Sequence, residues 1–377
     1  MVGRTGLQPG SVSSPGTPAR DTAPDRPDRR DTRHELMARW QALKSDEPRL
    51  RARDAATRLG VSEAELVHAR TDAEVHRLDG PWDRLVAGVF GLGPVMALTR
   101  NDHAVHEKVG QFEQIQVLSC GGQVKGDGMQ LRLFFPHWHY GFAITEAFQK
   151  RTRCSLQFFD SAGTAVHKVY LRRRSDEHAF RELVSEYRYP GRWQDLAATD
   201  DAAIRYERLH DDTEQSNPRN QRLPRDGTRD VADTPQGWTI GRIRQLRALP
   251  EHSARRIRDD GFQIALEHAA EAGIPVTLLV GNGGALQSHT GPVRRLKQVG
   301  PWFNVLDPDF SLHLRSDGIA SAWALQEQTC DGIVTSVEIF AAAGPRIASL
   351  QGQRNPGEEE TSEWRALAAS LSNDPRN

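Results

Sequence analysis

The chain of 377 residues has only three cysteines, Cys120, Cys154 and Cys330. They are too few and too far apart for a disulfide scaffold or a paired-cysteine zinc site, which points to a reducing compartment. Lysine is nearly as scarce: arginine supplies 43 of the 49 basic residues, the rest being Lys44, Lys108, Lys125, Lys150, Lys168 and Lys297. Much of this is compositional bias, yet each guanidinium can clamp a carboxylate bidentately. Neither sign of charge dominates, since 49 basic and 50 acidic residues leave a net charge of −1. That balance argues against a whole-surface electrostatic hold on nucleic acid or membrane. No run of about 18 apolar residues could form a membrane span, and the N-terminus carries no apolar signal core. A Gly-x-Ser-x-Gly elbow is absent. Gly281-Asn282-Gly283-Gly284 follows a strand pattern but lacks the Lys-Ser/Thr of a phosphate loop and the helix of a dinucleotide site. A soluble, cytoplasmic protein is expected.

Residues 1–33 hold almost no large apolar side chain and are expected to be a disordered tail. Leu36, Trp40 and Leu43 share one helical face, a second helical stretch ends at Gly60, and Ser62-Glu63-Ala64-Glu65 is a capping-box pattern opening a third helix. From Pro94 the period becomes two. Segments such as Val95–Leu98, Ile115–Leu118, Met129–Leu133, Phe142–Ile144 and Ser155–Phe159 read as short strands of an antiparallel meander, with a helix over Ala179–Tyr187 behind it.

The same order then returns without a gap. Val95 falls on Val276, Leu98 on Leu279, Asn101 on Asn282, Ala104 on Ala285, Gly110 on Gly291, Leu131 on Leu312, Ser155 on Ser336 and Phe159 on Phe340. One offset kept over about 70 residues indicates an internal duplication. The fold class is therefore expected to be α+β, a tandem structural repeat of antiparallel β-sheet units with flanking helices. The expected divisions are a tail over 1–33, a first repeat over 34–200, a divergent linker over 201–260 and a second repeat over 261–370. Between Asp211 and Arg258 the chain has no Phe, Tyr or Cys and is interrupted by Pro218, Pro224, Pro235 and Pro250; it should be partly disordered, with a weak helix at Ile240–Leu249.

Candidate chemistry is sparse. Asp54–Leu66 has the small residues, turn glycine and capped second helix of a helix-turn-helix. Its second helix would turn Glu63 and Glu65 toward phosphates, so packing against a sheet is the better reading, and salt-dependent DNA binding would mark the alternative of a DNA-binding regulator. His137 and His139 would share a strand face, as metal ligands can, but spacing fixes no third ligand, and His137-Trp138-His139-Tyr140 reads as surface or rim. His103 and His106 flank a turn after the first strand. What remains is a groove signature: strand ends with polar turns at Leu98-Thr99-Arg100-Asn101 and Val280-Gly281-Asn282-Gly283, and a late segment Ser349-Leu350-Gln351-Gly352-Gln353-Arg354. Arginines at strand ends beside apolar walls suit an amphipathic ligand bearing carboxylates.

Several phrases carry a family resemblance. They are Val95–Asn101, Ala104–Lys108, Leu279–Gln287, Gly300–Pro308 and Asp331–Ser336. Over roughly 36–210 and 262–367 the chain resembles the bacterial cytoplasmic haem-uptake proteins of HemS/ChuS type, the hemin-degrading or haem-trafficking factors. The resemblance implies a haem held in a cleft between the halves, with an axial histidine on one face and an arginine on the other. Some such proteins open the porphyrin with oxygen and a reductant; others carry haem. Arg100 matches the arginine of the distal, oxygen side, and Arg354 matches an arginine of the propionate side. The implied partners are haem and an electron donor or downstream haem acceptor, with a homodimer allowed and no nucleic acid.

The departures are equally specific. The axial histidine of the family belongs to a Thr-Asp-x-His-x-Phe-Phe-like segment. Here Asp212-Thr213-Glu214 is its nearest remnant, His210 stands close by, and His252 follows later without the right neighbours. His210 is taken as the metal-side candidate. Glu327 stands where a basic residue is common, and Gln351, a cofactor-side candidate, where an aromatic is common. A non-catalytic carrier or sensor, or a member with impaired haem ligation, is the alternative to a haem-degrading monooxygenase.

Overall fold

The computed structural model describes residues 33–48, 50–118, 121–126, 128–191, 196, 238, 241–329, 332–354 and 358–371. The described part begins with α1 (Arg33–Asp46), α2 (Ala52–Leu59) and α3 (Glu63–Ala69). Leu36, Met37 and Trp40 of α1 close a small core on Ala55, Ala56, Leu59 and Leu66. Gly60 ends α2 with a φ of 71°, a left-handed conformation that costs a glycine little. The expected capping box opens α3: Ser62 Oγ accepts from the Glu65 N–H at 3.2 Å and Glu65 Oε2 accepts from the Ser62 N–H at 2.7 Å.

The first repeat continues through β1 (Ala73–Leu78), α4 (Trp82–Gly88), β2 (Val95–Arg100), β3 (Ala104–Gly110), β4 (Phe112–Leu118), β5 (Gly121–Gly126), β6 (Met129–Leu133), β7 (Tyr140–Phe148), β8 (Arg151–Phe159), β9 (Ala165–Leu171) and α5 (Glu177–Glu186). Then α6 (Gly241–Ala248) precedes the second repeat. That repeat runs β10 (Ala254–Ile257), α7 (Gly261–Ala272), β11 (Val276–Gly281), β12 (Ala285–Gly291), β13 (Leu296–Val299), β14 (Trp302–Leu306), β15 (Phe310–Arg315), β16 (Ser321–Thr329), β17 (Gly332–Phe340), β18 (Arg346–Gly352) and α8 (Ser362–Ser370). Strand by strand the offset expected from sequence is kept, from β1 with β10 to β9 with β18. The stretch read as a divergent linker is regular from Gly241 onward, because α6 and β10 pack on the second sheet; Ile243, Leu246 and Ala254 share a core with Leu325 and Phe340.

The repeats do not form separate sheets. Two nine-stranded sheets have the orders β1-β7-β8-β9-β2-β3-β15-β14-β13 and β10-β16-β17-β18-β11-β12-β6-β5-β4. Each repeat therefore lends three strands to the other's ladder, through β3 with β15 (Ala104 opposite Leu314) and β12 with β6 (Ala285 opposite Leu133). The apolar cores are not exchanged. One core draws on residues 257–371 plus Ala104, and the other on residues 78–184 plus Ala285.

At the crossing, two asparagines bind the sheets together. Asn101 Nδ2 donates to the carbonyls of Gly281 at 3.1 Å and Ile347 at 2.8 Å, and its Oδ1 accepts from the N–H groups of His103 and Ala104. Asn282 Nδ2 donates to the carbonyls of Arg100 at 2.7 Å and Val166 at 2.9 Å, and its Oδ1 accepts from Gly284 and Ala285. An amide has two donors and two acceptor sites, and here all are used. Either Asn101→Ala or Asn282→Ala strands four backbone groups. Each is expected to cost about 2–4 kcal/mol, and the two by near-equal amounts, measured by urea unfolding.

Three histidines are buried in this interior. Among the described residues no side-chain hydrogen bond reaches the ring nitrogens of His106 and His289, and His167 Nδ1 lies 3.0 Å from Thr99 Oγ1. Burial pushes the His167 imidazolium down to about 3 and His289 to about 4, and holds His106 well below the usual 6.5. The folded state thus binds fewer protons than the unfolded state between those values and 6.5, so stability is full above pH 6.5 and falls as pH drops. The expected loss at pH 5 is roughly 2 kcal/mol each for His167 and His289, and His106, His137 and His313, also lowered by burial, add in the same direction. Urea midpoints from pH 7 to 5 test this, and His167→Gln should flatten the slope.

Candidate functional site

The outer face of the first sheet carries the best candidate. On β2, Val95, Ala97 and Thr99 point into the interior, which leaves Met96, Leu98 and Arg100 on the other face. The register extends that face across the exchanged strands: Arg100 lies opposite Val105, Val105 opposite His313, and Trp302 opposite Arg315. Helix α2 and the segment before it stand over this surface and leave a cleft of about 750 Å³, lined among others by Arg51, Arg53, Arg100, Val105, Trp302 and Arg315. Both repeats therefore build one site, because β14 and β15 complete the first repeat's sheet.

Four arginines line the cleft against Glu47, Asp54 and Asp102, with Trp302 as its aromatic wall. The guanidinium carbons of Arg51 and Arg315 lie 5.7 Å and 5.9 Å from the centre of the Trp302 ring. Arg53 donates to the Asn101 carbonyl at 3.0 Å and pairs with Asp102; Arg315 pairs with Asp317 at 2.7 Å. His313, half-buried beside the cleft, has Nδ1 2.7 Å from Asn304 Oδ1, and burial followed by the charge of Arg51 keeps it below its usual value.

Arg100 is held from behind. One guanidinium nitrogen pairs with Glu63 Oε2, and Lys168 Nζ donates to Glu63 Oε1 at 2.5 Å. Burial by itself pushes the Glu63 carboxyl up, but Lys168 and Arg100 outweigh it and hold the group below its usual value. Burial also lowers Lys168 and Arg100, opposed in each case by Glu63. Tyr170, next to this cluster, is driven up to about 12 by burial and stays neutral.

The other residues singled out from sequence are placed elsewhere. Gln351 lies on β18 of the second sheet, opposite Thr277 and Ser336, and Arg354 follows β18; neither lines the cleft. His210 is outside the described residues, and His252 is exposed in the turn before β10. His103 packs against Gly318, where a Cβ would come within 2.1 Å of its Nδ1. The reading of residues 137–140 as surface or rim is corrected for two of them: His139 is exposed and His137 half-buried, but Trp138 and Tyr140 are buried, and Trp138 Nε1 donates to the Gly284 carbonyl at 2.8 Å. Among the described residues no three His, Cys, Asp or Glu side chains gather as a metal site. The helix-turn-helix pattern is a packing element, since α3 buries Glu63, Ala64, Leu66, Val67 and Ala69.

The second sheet closes the equivalent place. Gly281 stands where Arg100 does, and Trp238 lies so close that a Cβ on Gly281 would meet the indole at 2.7 Å. The Arg346 guanidinium lies 4.1 Å from that ring's centre. Glu327 has a local partner for its unexpected charge: Arg242 donates to it at 2.6 Å and 3.0 Å and also pairs with Glu338, which Arg346 contacts at 2.6 Å. Sequence reasoning missed Glu63, Lys168, Arg51, Trp302 and Arg315. A signal existed for Lys168: at the repeat offset it meets Ser349, just as Arg100 meets Gly281, and breaks in an internal symmetry mark positions under separate demands.

Comparison with known proteins fits this arrangement. The model of the haemin-degrading HemS/ChuX domain matches residues 60–187 and again 239–371. The chain is 32% identical over 345 residues to the hemin transport protein HmuS of Yersinia pestis, covering 90% of this chain and 97% of that protein. It is 33% identical over the same length to the hemin transport protein HemS of Yersinia enterocolitica, with the same coverage. Among solved structures it is similar to holo-PhuS, a haem-binding protein of Pseudomonas aeruginosa, with a TM-score of 0.77, 37% identity, and coverage of 90% of this chain and 99% of that one. It is similar also to ChuS, a haem oxygenase of E. coli, with a TM-score of 0.73, 30% identity, and coverage of 89% and 99%.

Proposed function

This chain belongs to the family of the haemin-degrading HemS/ChuX domain, and we propose that it binds haem in the cleft on the first sheet and serves iron acquisition in the cytoplasm. The observation that carries this reading is the cleft itself, where Arg51 and Arg315 lie over Trp302 and Arg100 and the apolar Val105 line the same space. A flat, apolar ring system with two carboxylates needs this combination of aromatic wall and guanidinium donors. In this reading Arg100 takes the oxygen side. Arg51 and Arg315, beside Trp302, are assigned to the propionates; Gln351, on the other sheet, and Arg354, beyond the end of β18, are not among the cleft's lining. Ring opening consumes oxygen and electrons, which an external reductant must supply. Transfer of intact haem to an acceptor is the second reading. It is favoured by the family model leaving residues 188–238 unmatched, the interval that contains His210.

Titration with hemin followed by absorbance, then ascorbate in air, tests both. A Soret shift with later bleaching supports degradation; a stable Soret band supports carriage; no Soret shift overturns haem binding. Arg100→Ala is expected to slow ascorbate-driven haem loss by about tenfold or more while weakening hemin binding by less, since its charge acts on oxygen present only during turnover. Equal losses would remove it from the oxygen side. For the iron, an imidazole is the expected ligand. His210→Ala should perturb the ferric spectrum more than His252→Ala, and an unchanged spectrum in both would place the ligand elsewhere.

A further inference from the structure

We propose that Glu63 and Lys168 are positioning residues for Arg100, and that together they give the cleft its preference for an anionic ligand atom on the open side of the haem. The inference rests on haem occupying the cleft.

Three observations carry it. The first is the division of the carboxylate. Glu63 turns Oε1 to Lys168 and Oε2 to one terminal nitrogen of the Arg100 guanidinium, a group with no other hydrogen bond among the described residues. The other guanidinium N–H groups thus remain for a ligand, while the bond to Glu63 fixes their direction. The second is rigidity. Glu63 is the first residue of α3, whose start is docked on the β8–β9 turn: the Ala64 N–H donates to the Gly163 carbonyl at 3.0 Å, and a Cβ on Gly163 would come within 2.4 Å of Ser62 Oγ. Lys168 lies opposite Leu98 on β2, two residues before Arg100 and on the same face.

The third is charge. Two cations, Lys168 and Arg100, share one directly paired carboxylate, Glu63, an excess of one positive charge among the paired groups on which Glu146, Asp54 and Arg53 act without pairing; Tyr170 is neutral beside it. An ion network that only ties a helix to a sheet needs no such excess. The second sheet shows the contrast: there Arg242 and Arg346 meet Glu327 and Glu338, two cations to two carboxylates, and an indole occupies the place of Arg100. The excess in the first sheet is answered by something that enters the cleft, and a desolvated guanidinium favours an anion far more strongly there than in water.

The test uses the full chain loaded with ferric hemin, with azide as the anionic probe read by absorbance. Glu63→Asp keeps the charge but withdraws the carboxylate by one methylene. It is expected to weaken azide binding about tenfold, with hemin affinity nearly unchanged, and to have no further effect in an Arg100→Ala background, as coupled residues in a double-mutant cycle behave. Lys168→Met, which removes the excess charge and spares the Glu63–Arg100 pair, should weaken azide binding by a similar factor. An equal effect of Glu63→Asp with and without Arg100 would overturn the inference. So would a Lys168→Met protein that melts earlier yet binds azide as the parent does. If Glu63→Asp does not fold, the Lys168→Met arm decides alone. Absence of a Soret band in the parent protein would instead overturn haem binding itself.

Discussion

Two half-buried amides hold this molecule in its working shape. Asn101 and Asn282 each reach across the crossing point and bond the last carbonyl of the other repeat's β2-type strand, Gly281 in one direction and Arg100 in the other. The backbone of Arg100 is therefore held from both repeats: it pairs with Val105 of its own β3, and its carbonyl is bonded by Asn282 of the opposite repeat. Its side chain projects over a surface whose far half, β14 and β15, also comes from the opposite repeat. A shift of the repeats against each other would move the guanidinium, Trp302 and Arg315 apart at once.

Around that near-symmetric frame, the two outer faces have diverged. The first is open, cationic and held by an ion cluster with surplus charge. The second is shut by Trp238 and a charge-balanced network of arginines and glutamates. Desolvated charge is costly unless paired, so the balanced side reads as architecture and the unbalanced side as a place for a ligand. The divergence sits in side chains at strand ends and in the segments laid over them, and the interior ladders hardly change.

Much of this was legible in the sequence because it depends on local period and local caps. Alternating apolar residues announced the strands, one constant offset announced the duplication, and Ser62 with Glu65 announced the start of α3. The α+β class and the placement of Arg100 at a strand end followed. The strand exchange was not legible, since a period of two reports which face is buried and is silent about which strand lies alongside. The role of Glu63 was missed for a related reason: its partner Lys168 stands 105 residues away in the chain, and local pattern showed only a capped helix start. Trp138 and Tyr140 were placed at a rim because two histidines flank them, although the indole is buried and bonded to Gly284.

The exchange of ladders without exchange of cores has a consequence for ancestry. A single repeat would bring its own hydrophobic centre, complete apart from one alanine at position 104 or 285. It would also display two raw hydrogen-bonding margins, one along the β2–β3 side and one along its lent three-stranded flap. Such margins are satisfied most simply by an identical molecule turned through half a revolution. The present chain has the form of a symmetric pair joined end to end. Joining frees each former twin to specialise, so one could keep an open mouth while the other sealed its own and became scaffold.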